Sequence, residues 1–185
     1  GYKGQPLGFQ YEMLQELANH LGVRLEVRVS RNIHESYEMV RTGEADLIAQ
    51  NLMVTPYGNS FVDYTASHMR AYQVLVQRKP DNWRNLREKD IRASPVPRPE
   101  ELKGKTVYVM RGSAYAERLR YLSAAMDGSP NVIEVDESME ELIYLVSVGE
   151  IPYTVSDNNI AEVNMRYFPN LDIRTPLSRK LDMAW

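Results

Sequence analysis

One short pattern occurs twice in this chain and limits the possible folds more than any other feature. A helical segment ends at a glycine, an apolar strand follows, and polar residues come directly after it, as in RTGEADLIAQN (residues 41–51) and SVGEIPYTVSDN (residues 147–158). Glycine is common just past a helix because it adopts the left-handed conformation without strain. Ligands of open α/β sheets lie beyond the carboxyl ends of the strands. The pattern therefore predicts an α/β protein with two lobes that enclose a ligand cleft.

The spacing of apolar residues predicts the other elements of the first half. In chain order these are a helix over 11–21, a strand over 23–29, a helix over 33–42, and strands over 45–49 and 72–76. Helices that alternate with strands favour right-handed crossovers within one sheet. We expect a mostly parallel sheet flanked by helices in each lobe.

Residues 80–99 are rich in charge and proline, which predicts an irregular connector with one short helix. A second unit follows, with strands over 105–110, 132–135, 152–156 and 171–174, and with helices over 112–122, 139–148 and 158–167. The chain then ends in LSRKLDMAW, whose apolar end is typical of a strand. We expect lobe one to comprise residues 1–78 plus 176–185, lobe two to comprise 79–175, and the chain to cross near Arg78 and Thr175.

Composition excludes several classes of function. The net charge is −3 with scattered Lys and Arg, so nucleic acid is not an expected partner. No apolar run reaches the roughly 20 residues that span a bilayer, and no signal peptide opens the chain, so we expect no membrane insertion. Cysteine is absent, and His20, His34 and His68 lack the spacing that places two ligands on one helix face. We expect neither a metal site nor a cofactor.

Four segments in the right order resemble family 3 of the bacterial extracellular solute-binding proteins. They are LGFQYEML in the opening helix, GEADLIAQNLMVTP after the second helix, KTVYVMRGSAYAERL at the start of lobe two, and the strand that ends in Asp157. The resemblance implies the two-lobed type II periplasmic binding protein fold. Within the family the chain is most similar to the N-terminal regulatory domain of the membrane-bound lytic murein transglycosylase F family, partly because of its YFPNL segment, residues 167–171. The catalytic half of such a protein is not in this chain.

The chain departs from the family at the residue that holds the ligand. Amino-acid receptors of family 3 carry approximately Thr-Pro-Glu-Arg, in which the arginine grips the ligand's α-carboxylate. This chain has Thr55, Pro56, Tyr57 and Gly58 at those positions. The resemblance therefore implies a ligand site without the carboxylate clamp.

Three segments of the resemblance imply ligand contacts, and each has a plainer alternative. Asp157 matches the family's ammonium-binding Asp, but a carboxylate there would also cap the next helix. Gly112 and Ser113 match a turn whose amides receive a carboxylate, although simple capping is an alternative. Thr55 could contact ligand through its hydroxyl or amide, or only shape the turn before Pro56.

Further candidates flank the predicted cleft. Asn51 and Gln50 follow the first-lobe strand, and several aromatic residues border the same lobe, suiting peptides or sugars; they are Phe9, Tyr11, Tyr57, Tyr64 and Tyr72. Tyr11 and Tyr72 also fit a core. Arg111 or Arg70 could replace the missing arginine, or could be solvated strand-end residues.

Three functions remain open. The first is a ligand-sensing regulatory domain for a cell-wall peptide or muropeptide, which lies in the periplasm as part of a membrane-anchored transglycosylase-like parent with a downstream catalytic domain. The second is a transport receptor that delivers a small amine-bearing solute to a membrane permease. The third is an enzyme of the cyclohexadienyl dehydratase type, which shares this fold. Dehydration needs a placed acid or base, and paired carboxylates are not evident at the strand ends. We therefore assign this fragment no catalytic residues.

Overall fold

The computed structural model describes residues 8–93, 96–125 and 128–185. Its helices are α1 (Phe9–Leu21), α2 (Ile33–Thr42), α3 (Glu88–Ala93), α4 (Ala114–Ala125), α5 (Met139–Val148) and α6 (Asn158–Met165). Its strands are β1 (Leu52–Met53), β2 (Met69–Ala71), β3 (Gln73–Arg78), β4 (Thr106–Met110), β5 (Asn131–Val135), β6 (Tyr153–Asp157), β7 (Leu171–Pro176) and β8 (Leu181–Ala184). None of the helices within these described residues has the length and apolar character needed to cross a membrane.

The strands form two sheets. The smaller sheet has the order β1-β8-β2, and both of its pairings are antiparallel. The larger sheet has the order β5-β4-β6-β3-β7; β4 is parallel to β5 and β6, whereas β3 is antiparallel to β6 and β7. The protein is thus α/β, but its pairing is mixed rather than mostly parallel as the sequence predicts.

The helix–glycine–strand pattern is clearest in the larger sheet. Gly43 and Gly149 end α2 and α5 with φ of 78° and 87°, and each donates its amide to carbonyls of the last helical turn. The strand expected after Gly149 is β6, whose last four residues are buried. Side-chain caps fix the starts of the same helices, because Asn32 and Ser138 accept from the amides of Glu35 and Glu141.

Two predicted strands are wrong. Residues 23–29 and 45–49 belong to neither sheet. They line an open cavity of 940 Å³ together with α1 and α2, and Val29 is 94 % exposed. Apolar alternation reports which face a segment could bury, but a strand also needs a neighbouring backbone for its hydrogen bonds.

The position of β3 corrects the expected lobe boundary. Residues 73–77 are buried on both sides, so this strand belongs inside a sheet covered on both faces. One face packs against α5 and α6 through Val74 and Val76, and the other packs against α4 through Leu75. β3 therefore lies in the larger sheet, although the sequence interpretation assigned it to lobe one.

The chain crosses between the sheets at two neighbouring places. Only Tyr72 separates β2 from β3, and residues 177–180 connect β7 to β8. The C-terminal strand joins the smaller sheet, where Met183 pairs with Met53 and Met69. We propose that the lobe borders lie at Tyr72 and at residues 177–180, in place of Arg78 and Thr175.

Candidate ligand-binding site

The two sheets meet at the start of α4. Ala114, the first residue of that helix, packs in a small core with Met53, Ala71 and Met183 of the smaller sheet. A β-carbon on Gly112 would stand 3.5 Å from the β-carbon of His34, at the start of α2. These contacts place the turn before α4 against the smaller sheet and the start of α2.

Asp157 ends β6 with a carboxylate that lies inside the protein. The residue is 5 % exposed, and its Oδ1 has no hydrogen-bond partner among the described residues. Burial raises the pKa of Asp157 to about 6, and a hydrogen bond from the Tyr115 hydroxyl acts in the opposite direction. The pKa of Tyr115 is in turn raised, first by burial and then by the Asp157 charge. The site therefore holds an acceptor that lacks a donor.

The Asp157 side chain does not cap helix α6. Asp157 occupies the N-cap position of α6, but its side chain makes no capping hydrogen bond. The start of α6 is fixed by its neighbour, since Asn158 donates its amide to the Tyr72 carbonyl at 2.9 Å and its Oδ1 accepts from the Tyr72 amide at 3.1 Å. The Asp157 carboxylate is thus not engaged by the helix.

Gln73 lies directly opposite Asp157 in the β3–β6 pair, and sequence reasoning missed it. Gln73 is 1 % exposed, and its Oε1 is also without a partner in the described part of the chain. Its backbone is fully bonded, because its amide donates to Ser178 Oγ at 2.9 Å and its carbonyl accepts from Leu177 at 2.8 Å. The sequence signal that could have identified Gln73 is a polar residue at the start of an otherwise apolar stretch, QVLV.

The position of the absent arginine is filled by tyrosines. Gly58 is buried, and a β-carbon there would overlap the Tyr64 hydroxyl and come within 3.3 Å of the Tyr37 hydroxyl. The two hydroxyls are hydrogen-bonded, and burial raises the pKa of Tyr37. Phe61 stacks on Tyr37 at 5.3 Å, and Tyr57 meets Phe61 edge-on at 5.0 Å.

Thr55 shapes the turn that carries Gly58. Its Oγ1 accepts from the Gly58 amide at 3.1 Å, and its carbonyl accepts from Asn59 at 3.0 Å. These bonds fit the turn role, and a ligand contact of Thr55 stays a prediction.

The turn before α4 already binds a carboxylate from the protein itself. The Gly112 amide donates to Glu134 Oε2 at 2.8 Å, and Arg120 pairs with the other oxygen of Glu134. Ser113 Oγ accepts from the Ala116 amide at 3.4 Å, which is a capping contact. Sequence reasoning missed Glu134, which lies on the neighbouring strand β5.

Both candidate arginines are paired with acids of the chain itself. Arg111 donates to Asp136 Oδ1 at 2.9 Å and to the Glu134 carbonyl at 3.2 Å. Arg70 donates to Asp182 at 2.7 Å across the smaller sheet, and its side chain is 71 % exposed. Each guanidinium thus has an acid partner, and a ligand-binding role of Arg111 or Arg70 stays a prediction.

Asn51 belongs to a network within the smaller-sheet part. Its Oδ1 accepts from Gln10 Nε2 at 2.6 Å and lies 2.8 Å from His68 Nε2. Gln10 Oε1 accepts from Trp185 Nε1 at 2.6 Å. Phe9, the first residue of α1, is 65 % exposed.

The predicted site residues thus fall into separate groups. Thr55, Tyr57 and Tyr64 surround Gly58, while Arg111, Gly112 and Ser113 surround the Glu134 carboxylate. Asp157 stands with Tyr115 and Gln73. Over the described ranges, no three His, Cys, Asp or Glu side chains come together as a metal site.

Comparison with protein families identifies one match that covers most of the chain. The model for bacterial extracellular solute-binding proteins, family 3, matches residues 1–170. Curated relatives include the membrane-bound lytic murein transglycosylase F of Desulfosudis oleivorans, 30% identical over 184 residues, which are 100% of this chain and 38% of the relative. The protein of the same name from Shewanella pealeana is 31% identical over 182 residues, covering 96% of this chain and 34% of the relative. The chain thus spans little more than a third of the length of these relatives.

Among solved structures, the arginine-bound form of a truncated ArgBP from T. maritima is similar over the whole chain. It has a TM-score of 0.76 at 21% identity and covers 100% of this chain and 80% of that one. At this identity the likeness establishes the fold, which is the two-lobed fold of type II periplasmic binding proteins.

Proposed function

The chain belongs to family 3 of the bacterial extracellular solute-binding proteins, and from this premise we propose that it senses a cell-wall peptide or muropeptide that bears a free amine. The proposal depends most on the carboxylate of Asp157. A buried carboxylate oxygen without a donor favours a ligand that brings a positively charged one. Asp157 is the ammonium anchor in this proposal.

The same site disfavours a free α-amino acid. Gly58 lacks the arginine side chain, and the Tyr64 hydroxyl fills the space where that side chain would begin. The Gly112 amide is bound to Glu134. A ligand carboxylate would therefore lose both partners, whereas a peptide holds the carboxyl group of its first residue in an amide.

The relatives favour a ligand from the cell wall. They are named membrane-bound lytic murein transglycosylases, and murein carries peptide stems. We propose that the chain is the regulatory domain of such a protein in the periplasm, next to a catalytic domain of a membrane-anchored parent. In that arrangement Tyr57 and Tyr64, with backbone groups near Asn51 and Thr55, contact the rest of an extended ligand.

The experiment is a calorimetric titration of a murein stem tetrapeptide with a free N-terminal ammonium. We expect Asp157→Asn to weaken binding about tenfold or more, because a charge-assisted hydrogen bond is lost. Asp81→Asn is the matched control, since it makes the same change at a side chain that is 94% exposed. Equal affinities of wild type and Asp157→Asn would refute the anchor.

The alternative is a transport receptor for a small amine-bearing solute, which the likeness to an arginine-bound ArgBP favours. A wild-type protein that binds a single free amino acid in the micromolar range and ignores the tetrapeptide would establish that alternative instead.

A further inference from the structure

A cavity of 680 Å³ lies beside α4, apart from the candidate ligand-binding site. Three segments line it: residues from 99–103 before β4, the second half of α4, and residues 176–178 where β7 ends. The last of these segments begins the second crossing between the sheets, residues 177–180. None of the residues considered above as ligand contacts lines this cavity, so it is a separate place on the protein.

The cavity contains a cation without an anion. Arg118 is half-buried on α4, and in the described part of the chain it forms no ion pair with an acid; its Nε donates to the Leu177 carbonyl, and its guanidinium lies 5.2 Å from the Tyr121 ring. Burial lowers the pKa of Arg118, and the charge of Arg179 acts in the same direction while Tyr121 opposes both. Arg120, two residues further along the same helix, is by contrast paired with Glu134. A partly desolvated guanidinium without an acid favours an anion from outside the chain.

The contact with Leu177 determines how the guanidinium can receive that anion. A guanidinium carries its N–H donors in a planar fork, and the Nε–H of Arg118 is already used. The edge between the two Nη atoms remains, and their N–H groups have no hydrogen-bond partner among the described residues. Two parallel N–H groups on one edge match the two oxygens of a carboxylate.

The rest of the lining suits an apolar body attached to the anion. Each of the three segments provides an apolar wall: Pro99, Leu122 and Pro176. The other charged side chains of the lining are Glu100 and Lys103, so together with Arg118 the cavity carries a net positive charge. A volume of 680 Å³ is within the range of pockets that hold small organic molecules.

We propose that this cavity binds a carboxylate with an apolar body, in which Arg118 holds the carboxylate and the apolar walls hold the body. The occupant lies against the second crossing, because Leu177 and Ser178 are part of the lining. The proposal does not depend on the proposed function, since the ammonium anchor at Asp157 belongs to a different site.

The first test compares small molecules that differ in one property. Thermal unfolding is measured at pH 7 and equal ionic strength with about 20 mM sodium pentanoate, pentanamide, sodium acetate, sodium phosphate or sodium chloride. Pentanoate should raise the melting temperature by about 2 °C over the others, as expected for a ligand that binds only the folded state. No shift with pentanoate would overturn the proposal. A shift as large with pentanamide, acetate or phosphate would overturn it too, because the charge and the apolar body would not both be needed.

Variants of Arg118 test the carboxylate partner. Arg118→Gln should abolish the pentanoate shift, and Arg118→Lys should keep a smaller one, because an ammonium keeps the charge but not the fork. Arg166→Gln is the matched control, since it makes the same change at an exposed arginine outside the cavity. That variant should keep the full shift. A full shift in Arg118→Gln would overturn the role of Arg118.

A second pair of variants tests the cavity and leaves Arg118 in place. Ala125 is exposed and lines the cavity, so Ala125→Glu adds a negative charge there without disturbing the core. Ala124 is exposed but does not line the cavity, which makes Ala124→Glu the matched control. Pentanoate should stabilise Ala124→Glu as much as the wild type, and Ala125→Glu much less, because like charges repel. Equal shifts in the two variants would place pentanoate elsewhere and overturn the proposal.

Discussion

The hydroxyl of Tyr64 occupies the space into which a side chain at Gly58 would grow. The same hydroxyl lies 3.4 Å from the Met53 carbonyl, and the Tyr37 hydroxyl is its other neighbour. Glycine at this position is therefore matched to the packing of the Tyr64 and Tyr37 side chains around it. Glycine here allows the tyrosines to close the place where other members of the family hold a carboxylate.

Gly58→Ala should lower the free energy of unfolding by about 1 to 2 kcal/mol, because the new methyl group forces Tyr64 from its position. Tyr64→Phe in the same chain removes the hydroxyl and should recover part of the loss. Urea denaturation of the two single variants and the double variant measures the coupling. Additive effects would show that the two residues do not compete for this space.

Free amino acids should bind weakly or not at all. The clamp that is missing at Gly58 normally contributes a charge-assisted pair with roughly 1.5 to 3 kcal/mol. Calorimetry against the twenty standard amino acids provides the measurement. A micromolar dissociation constant for any of them would contradict this and favour the transport receptor.

The ligand-free protein should lose stability as the pH rises through 6. The pKa of Asp157 is raised in the folded protein from 3.8 to about 6, first because of burial, while the Tyr115 hydrogen bond acts the other way. The folded state thus binds this proton more tightly than the unfolded state. Its contribution is complete below pH 3.8 and disappears as the pH passes 6.

Asp157→Asn should remove that dependence and make the ligand-free protein more stable at pH 8, by on the order of 2 kcal/mol. The groups that face the carboxyl are Tyr115 and Gln73, with Glu140 acting on Tyr115. Denaturation at pH 4.5 and pH 8 compares the two proteins. A variant that is less stable than wild type at pH 8 would indicate that Asp157 is structural.

Glu134→Ala should open the turn before α4 to external anions. The Gly112 amide then loses the carboxylate that accepts from it at 2.8 Å, and Arg120 loses its partner. Sodium acetate should raise the melting temperature of this variant and leave the wild type unchanged, relative to sodium chloride. No difference between the two salts would show that the turn has no affinity for carboxylates.

Local signals predicted much of the fold. Gly43 and Gly149 end helices as their positions in the repeated pattern indicate, because the left-handed cap is a local property of the backbone. The pairing of strands, in contrast, depends on segments that are distant in the sequence. Residues 23–29 alternate as a strand should but belong to neither sheet, and β3 has its partners in the second half of the chain.

The same distinction holds at the candidate site. Asp157 was identifiable because it directly follows an apolar strand, and its residue type suggested either a cap or an anchor. Gln73 and Glu134 matter only through partners that are distant in sequence, Asp157 and Gly112, and nothing beside them in the chain announces those contacts. The acid that pairs with Arg111 is also distant in sequence, because Arg111 follows β4 and Asp136 follows β5.

The two crossings between the sheets have a mechanical consequence. Tyr72 and residues 177–180 lie side by side, because the backbone of Gln73 bonds to Leu177 and Ser178, so we expect any rotation of one sheet against the other to take place about this point. In the proposed function the ammonium group binds at Asp157, close to these crossings, so it can be held without rotating either sheet. Rotation would need contacts from the far end of a longer ligand. We therefore expect a short amine to bind without closing the two lobes. Such an amine would compete with a longer ligand for the same site and cause no conformational change.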